Sequence, residues 1–378
     1  MTNVVIAGYA RSPFHLAGKG ALARVRPDDL AAQTIRGLLE RTKVDPAEIE
    51  DIILGCAFPE GEQGLNVARL IGLLADLPIS VAGMTVNRFC GSSMSAIHIA
   101  MGQIAIGAGE AFICAGIESM SRVPMSGFNP LPNPTLAAKN AGAYMGMGQT
   151  AENVAERYQI TRAEQEAFAV KSQQKAAAAR DGGKLSDEIV PIQTKAGTVS
   201  EDGTLRPDTT EQGLSGLKPA FDQNGTVTAG TSSPLTDGAS AVLVCSEEFA
   251  TRHGLKILAR IRAVAVAGCE AEVMGLGPIN ATQKALERAG LSAGDLDIVE
   301  INEAFASQAI ACIRDLGLKE ETINVDGGAI AIGHPLGATG ARIVGKAAAL
   351  LEREGKRYAL ATQCIGGGQG IATILERA

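Results

Sequence analysis

Residues 38–54, LLERTKVDPAEIEDIIL, and residues 285–301, ALERAGLSAGDLDIVEI, are two versions of one phrase: a helix end carrying Glu-Arg, a short turn, and a run of buried-strand character. Glu40-Arg41 aligns on Glu287-Arg288, a spacing of 247 residues. Self-similarity at a fixed spacing points to a duplicated chain. Around the first copy, VVIAGYA (4–10) reads as a β-branched strand and Leu30 to Thr42 has helical spacing, so helix and buried strand alternate as in an α/β sheet. Carrying the same spacing forward from Cys90 reaches Gly337, and each position opens a stretch of small residues leading into a helix. Two half-domains would then present equivalent helix N-termini across a shared site.

Composition sets the bounds. With 378 residues, 46% hydrophobic and 20% charged, the chain holds more than one core's worth of sequence and buries a large one. A net charge of −7 argues against a nucleic-acid partner. Seven cysteines without a CxxC pair fit neither a zinc site nor a disulfide framework, and reduced thiols imply a cytoplasmic protein. No secretory signal is visible. The uncharged stretch Phe89 to Gly109 is long enough to span a bilayer, but Ser92, Ser93, Ser95, His98 and Gln103 punctuate it, which favours a helix buried within protein.

From about Ser119 to Thr228 the composition changes. Proline and glycine crowd GFNPLPNPT (127–135), then a polar helix is expected from about Thr150 to Ala179, with Thr161 and Glu164 as a start signal. A segment of this length is no plain loop; it reads as an inserted lobe.

Four places carry residues suited to chemistry. Cys90, in VNRFCGSSMSAIHIA (86–100), stands at the head of the uncharged helix, where unpaired N–H groups and the dipole favour thiolate over thiol. A buried structural cysteine is the alternative. His334, in NVDGGAIAIGHPLGATGAR (324–342), lies in a glycine-dense loop where main chain and ring can approach a ligand closely; a surface turn would use the same residues. His98 is eight residues down the helix from Cys90, about 12 Å by helix rise, too far to act as its base. Cys364 opens CIGGGQG, whose glycines expose N–H groups able to bind an oxyanion and lack the ending of a nucleotide-binding P-loop. Asn302 and Glu303 follow the second copy's strand, at the sheet edge where ligands bind, although Asn302 could equally cap a helix.

In combination, NRFCGSSMSAI (87–97), TVTAGTSSPLTDGASAV (226–242), INEAFASQ (301–308), GGAIAIGHPLGATGAR (327–342) and CIGGGQGIA (364–372) resemble the thiolase family, in particular acyltransferases of the 3-ketoacyl-CoA type. The resemblance covers nearly the whole chain. It implies a thiolase fold: duplicated βαβαβαββ halves in a five-layered αβαβα arrangement with an inserted loop domain. On that reading residues 1–118 and 229–250 form the first half, 119–228 the insert, and 251–378 the second half. It also implies roles. Cys90 would carry the acyl group, His334 would draw off its proton and form one oxyanion hole with a water held by Asn302, and Cys364 would serve as acid and base. The N–H groups of Cys90 and Gly366 would form the second oxyanion hole. Ser233, Phe221 and Met147 fall where the family contacts the pantetheine arm, and Met274 and Phe305 at the acyl pocket.

The implied reaction is thiolysis of 3-ketoacyl-CoA by CoA, with condensation of two acetyl-CoA as the alternative direction and a non-catalytic acyl-CoA or lipid binder as a reading from another class. Coenzyme A is a substrate and no metal or redox cofactor is expected. A homodimer or homotetramer, with a β-oxidation subunit as a further partner, is implied as well. Two departures from short-chain biosynthetic members lean toward the degradative type: Gly146 stands where those carry His, and Ser121 to Gly142 is shorter and lacks their basic loop. Asp326 replaces a commoner Asn, so details that depend on an amide there are open.

Overall fold

A computed structural model describes residues 2–378. The first half contains β1 (Val4–Arg11), the two-residue β2 (His15–Leu16), α1 (Pro27–Thr42), β3 (Asp51–Gly55), α2 (Val67–Leu74), β4 (Ala82–Val86), α3 (Ser92–Ala105) and β5 (Ala111–Ser119). An insert follows with α4 (Pro134–Lys139), α5 (Met147–Arg157), α6 (Arg162–Asp181), a hairpin of β6 (Ile192–Thr194) and β7 (Gly197–Val199), and α7 (Glu211–Ser215). Strand β8 (Thr236–Ser246) and helix α8 (Glu247–Arg252) then return to the first sheet. The second half contains β9 (Ala259–Gly268), α9 (Gly277–Ala289), β10 (Ile298–Ile301), α10 (Ala306–Leu316), α11 (Ala329–Ile332), α12 (Leu336–Arg353), β11 (Tyr358–Ile365) and β12 (Gln369–Glu376).

The 247-residue spacing is structural. It carries β3 onto β10, β5 onto β11, and α3 into α12. The strands run in the order β10-β11-β12-β9-β1-β8-β5-β3-β4, with β3, β4 and β5 parallel in one half and β10 and β11 parallel in the other. Only Val5 with Arg260 and Ile6 with Ala259 pair across the β1–β9 seam, so two sheets meet at a narrow join.

Three cores separate the layers. One lies between the outer face of the first sheet and α1 and α2, where Leu30, Ile35 and Leu38 of α1 and Ile71 of α2 meet Ile52 and Leu54 of β3. A matching core places Ile279, Ala285 and Leu286 of α9 and Cys312 of α10 against Val299, Leu360 and Ile374 of the second sheet. Between the sheets, Met94, Ile97 and Ile104 of α3 pack with Ile343, Val344 and Leu351 of α12. The outcome is helix, sheet, helix, sheet, helix, the expected five layers. The central pair sits close: a Cβ on Gly340 would lie 2.2 Å from the Met94 nitrogen.

The uncharged run from Phe89 forms a 3-10 turn and then α3, wrapped in protein, and no described helix is long and apolar enough to cross a membrane. The single polar helix expected from Thr150 to Ala179 is two helices. Ile160 sits between them, buried against Val154 and Val273, and Gln159 takes a positive φ of 51°, which no helix interior allows. Thr161 then caps α6 in a full capping box with Glu164.

Candidate active site

Parallel strands set where the site falls: their carboxyl ends are the edge at which loops converge. Cys90 follows β4 by four residues, Asn302 follows β10 directly, and Cys364 and Gly366 stand at the end of β11. The turn holding Cys90 is built from local polar bonds. Ser92 Oγ accepts from the Arg88 N–H at 2.9 Å and donates to the Phe89 carbonyl at 2.6 Å, while Asn87 Oδ1 accepts from the Phe89 N–H at 2.8 Å. Phe89 adopts φ 44°, left-handed for a bulky residue and a strained conformation of the kind that clusters at functional sites.

Cys90, His334 and Cys364 line one cavity of about 440 Å³, together with Met147, Phe221, Ser233, Met274 and Phe305. Eight of the ten residues to which the family resemblance gives roles therefore share one wall-to-wall space. Met274 and Phe305 are buried beside Cys364, and Phe221 meets Phe305 edge-on with ring centres 5.9 Å apart at the more exposed rim. Ser233 is held by its N–H donating to the Ala304 carbonyl at 3.0 Å. Asn302 and Gly366, the other two, reach the site through its members: Asn302 Nδ2 lies 3.3 Å from His334 Nε2, and the Gly366 N–H faces the Cys90 sulfur. Asn302 caps no helix; its Oδ1 is buried without a hydrogen-bond partner.

The preference for thiolate that a helix head gives Cys90 is outweighed by burial. Burial pushes the Cys90 thiol up to about 12, outweighing the N–H groups of Gly366 and of Cys90 itself, and the Glu118 carboxylate pushes the same way. A helix N-terminus favours an anion only where desolvation is small. His334 is a buried, neutral imidazole: burial, with Arg342 adding to it, lowers it to about 3. Burial, then the neighbouring Cys90, raises the Cys364 thiol well above the usual range. The resting site thus holds two thiols and a neutral ring.

Glu118, Gln363 and Thr339 support the site and lay outside the sequence reading. Glu118, at the end of β5, accepts hydrogen bonds from the Ala57 and Phe58 N–H groups, Gln63 Nε2 and the Gly337 N–H at the head of α12. Gln363 donates to the Cys90 carbonyl from the strand that carries Cys364. Thr339 Oγ1 lies 2.6 Å from His334 Nδ1. Glu303, singled out beside Asn302 in the sequence, is not among the residues that line the cavity: it accepts from Ser172, Asn324 and the Ile330 N–H and so fastens the insert to the second half. Asp326, where an amide was in question, is ion-paired with Lys346 at 2.7 Å and Arg353 at 2.6 Å. Nothing in the motifs marks Glu118, Gln363 or Thr339 apart from ordinary polar positions. Among the described residues, no group of three or more His, Cys, Asp or Glu could hold a metal ion.

A duplicated five-layer α/β fold with two cysteines and a histidine around an apolar cavity defines a cysteine-dependent acyltransferase. Comparison with known proteins makes the assignment specific. The family description "Thiolase, N-terminal domain" matches residues 4–248 and "Thiolase, C-terminal domain" residues 255–377. The chain belongs to the thiolase family. It is 47% identical over 389 residues to a 3-ketoacyl-CoA thiolase of Bacillus subtilis, covering 100% of both chains, and 48% identical over 388 residues to one of Vibrio vulnificus, again covering 100% of both. Among solved structures, human mitochondrial 3-ketoacyl-CoA thiolase superposes with TM-score 0.92 at 38% identity, and the Bacillus anthracis acetyl-CoA acetyltransferase with TM-score 0.93 at 39% identity; each match covers 100% of this chain and 99% of the other.

Proposed function

We propose that the protein cleaves 3-ketoacyl-CoA with CoA, giving acetyl-CoA and an acyl-CoA shortened by two carbons, as a cytoplasmic enzyme of fatty-acid β-oxidation. The observation that carries this reading is the convergence of Cys90, His334 and Cys364 on one apolar cavity. His334 takes the Cys90 proton as the sulfur bonds to the keto carbon, because neither ion is favoured beforehand in so buried a place. The C2–C3 bond then breaks and the electron pair passes to the acetyl-CoA enolate, which takes its proton from Cys364. Cys90 is left as an acyl thioester. Cys364, now a thiolate, deprotonates incoming CoA, whose sulfur attacks the thioester; Cys90 leaves and recovers its proton from His334. A cysteine nucleophile divides one difficult transfer into two easier ones.

Negative charge appears on oxygen at each stage. The N–H groups of Gly366 and Cys90 favour negative charge at the Cys90 sulfur and would serve the oxygen of a thioester formed there, while Asn302, whose Nδ2 lies 3.3 Å from His334 Nε2, would serve with the ring at the other charge site. Each donor in such a hole is worth about 3–4 kcal/mol. Incubation of purified protein with CoA and 3-ketoacyl-CoAs of increasing length is expected to release acetyl-CoA, and no thiolysis at any length would contradict the proposal. Condensation of two acetyl-CoA is the second reading, favoured by the match to an acetyl-CoA acetyltransferase; confinement to the four-carbon substrate would support it.

The working form is proposed to be a homo-oligomer. Strand β4 ends the sheet with an unpaired edge, and α2 beside it leaves Leu70, Leu73 and Leu74 exposed, with Leu65 89% and Ile79 79% exposed nearby. An apolar edge of this kind is a template for pairing with a second copy.

A further inference from the structure

A base must present a lone pair, and a neutral imidazole has only one. Which nitrogen holds it is decided by the hydrogen bonds around the ring. At His334 the ring has two polar neighbours: Thr339 Oγ1 at 2.6 Å from Nδ1 and Asn302 Nδ2 at 3.3 Å from Nε2. Thr339 is 1% exposed and lies in the first turn of α12, five residues beyond the histidine. Its hydroxyl has a single proton. That proton goes to the Pro335 carbonyl, 3.0 Å away and four residues back along the helix, the usual partner for a helical threonine. Oγ1 is then left with lone pairs only, so it accepts from His334, and Nδ1 must carry the ring proton.

We infer that Thr339 is a positioning residue that fixes His334 as the Nδ1–H tautomer and so turns the unprotonated Nε2 toward Asn302 and the cavity. The inference rests on the acyl-transfer reading for its kinetic consequence, but its structural content does not. The main chain that carries the ring is held as well: the His334 backbone N–H donates to Thr236 Oγ1 at 3.1 Å. In the other tautomer Nε2 would carry hydrogen and could not accept the Cys90 proton. Neutrality of the ring follows from burial, and the tautomer within that neutral form follows from Thr339.

Thr339→Val keeps the branched shape and removes the acceptor; Thr339→Ser keeps the acceptor and removes a methyl. Removing the partner that orients a metal-bound histidine typically costs about 10- to 100-fold, and a loss of kcat of the same order is expected of Thr339→Val. KM should stay within about threefold, and Thr339→Ser should return kcat to within about threefold of the unaltered enzyme. The decisive readout is 15N NMR of the histidine side chains in the full chain, with His334 assigned by comparison with His334→Asn. Nδ1 is expected to be protonated in the unaltered protein and in Thr339→Ser, with a population shifted toward Nε2–H in Thr339→Val. Protonated Nε2 in the unaltered protein overturns the inference whether or not Thr339→Val folds. So does full kcat in Thr339→Val, or lost kcat with an unchanged tautomer. If the unaltered protein shows no thiolysis, the functional reading fails, and the NMR result alone decides the role of Thr339.

Discussion

The two central helices occupy equivalent places in the duplicated fold yet differ in almost every functional respect. Helix α3 follows Cys90, carries no charged side chain, and buries Ser92, Ser93 and Ser95. Helix α12 follows His334 and buries Arg342 and Lys346, paired with Glu300 at 2.6 Å and with Glu188 and Asp326 at 2.9 and 2.7 Å. The grip on each helix head also crosses between halves. Glu118, from the end of β5, accepts the Gly337 N–H at the head of α12, whereas Gln363, from β11, donates to the carbonyl of Cys90 at the head of α3. Duplication supplied a near-symmetric frame with two helix heads face to face. On the proposed reading, divergence of side chains then made one head a nucleophile and the other a base. Buried ion pairs such as those of α12 add little net stability, but they specify one arrangement because any other leaves a charge unpaired.

The heaviest blow to this division of labour comes from removing the nucleophile. Cys90→Ala is expected to lower steady-state thiolysis by roughly four to six orders of magnitude, as loss of a covalent nucleophile does elsewhere; a fall of less than about tenfold would place the nucleophile on another residue. Next in size is the crossed grip. Glu118→Ala would leave the Ala57, Phe58 and Gly337 N–H groups and the Gln63 amide buried without their acceptor, and an expected loss of about 3 kcal/mol can be read from urea unfolding. An unchanged midpoint would mean that the helix head holds itself. Gly340→Ala probes the close approach directly: its Cβ would meet the Met94 backbone, and overpacking of this kind costs about 1–3 kcal/mol.

The finest test separates the two heads by pH. The folded His334 is lowered to about 3, below its ordinary 6.5, so the unfolded chain binds the extra proton between those values and stability falls as pH drops through that window. Folded Cys90 is raised to about 12 from 9.0, so the unfolded chain loses its proton first and stability falls as pH rises above 9. Each of these two groups contributes a limiting slope of about 1.4 kcal/mol per pH unit; His98, which burial also lowers to about 3, adds to the acid limb, and the other cysteines, raised by burial, add to the alkaline one. His334→Gln should lessen the acid slope by about one group's share and leave the alkaline slope unchanged, and Cys90→Ser the reverse, measured by denaturant unfolding across pH. A variant that flattened the wrong limb would reverse the assignment of the shifts.

The fold was legible where its cause is local or repeated. The 247-residue echo needs only pattern, and the capping box at Thr161 only neighbours three residues apart. The break ahead of it was not legible, because Gln159 enters positive φ with no glycine or proline to announce it and Ile160 is held by contacts with distant Val273. The reactive residues stood out because glycines frame them. Their state did not: helix-head position argued for thiolate at Cys90, and only assembly of both halves reveals that desolvation wins. Glu118, Thr339 and Gln363 were invisible for the same reason. A carboxylate in a strand or a hydroxyl in a helix gains meaning from a partner in the other half, or from a ring across a turn, that no local pattern names.

Following each thiol through a partial reaction tests the central claim most directly. Protein is mixed with an acyl-CoA, peptides are read by mass spectrometry for a thioester adduct, and exchange of the acetyl-CoA α-protons is followed in parallel. The unaltered chain should carry acyl on Cys90; Cys90→Ala should carry none, and Cys364→Ala should still be acylated yet lose exchange. Acyl on Cys364 instead, or equal loss of both partial reactions in the two variants, would contradict the assignment of acyl carrier to one sulfur and proton carrier to the other.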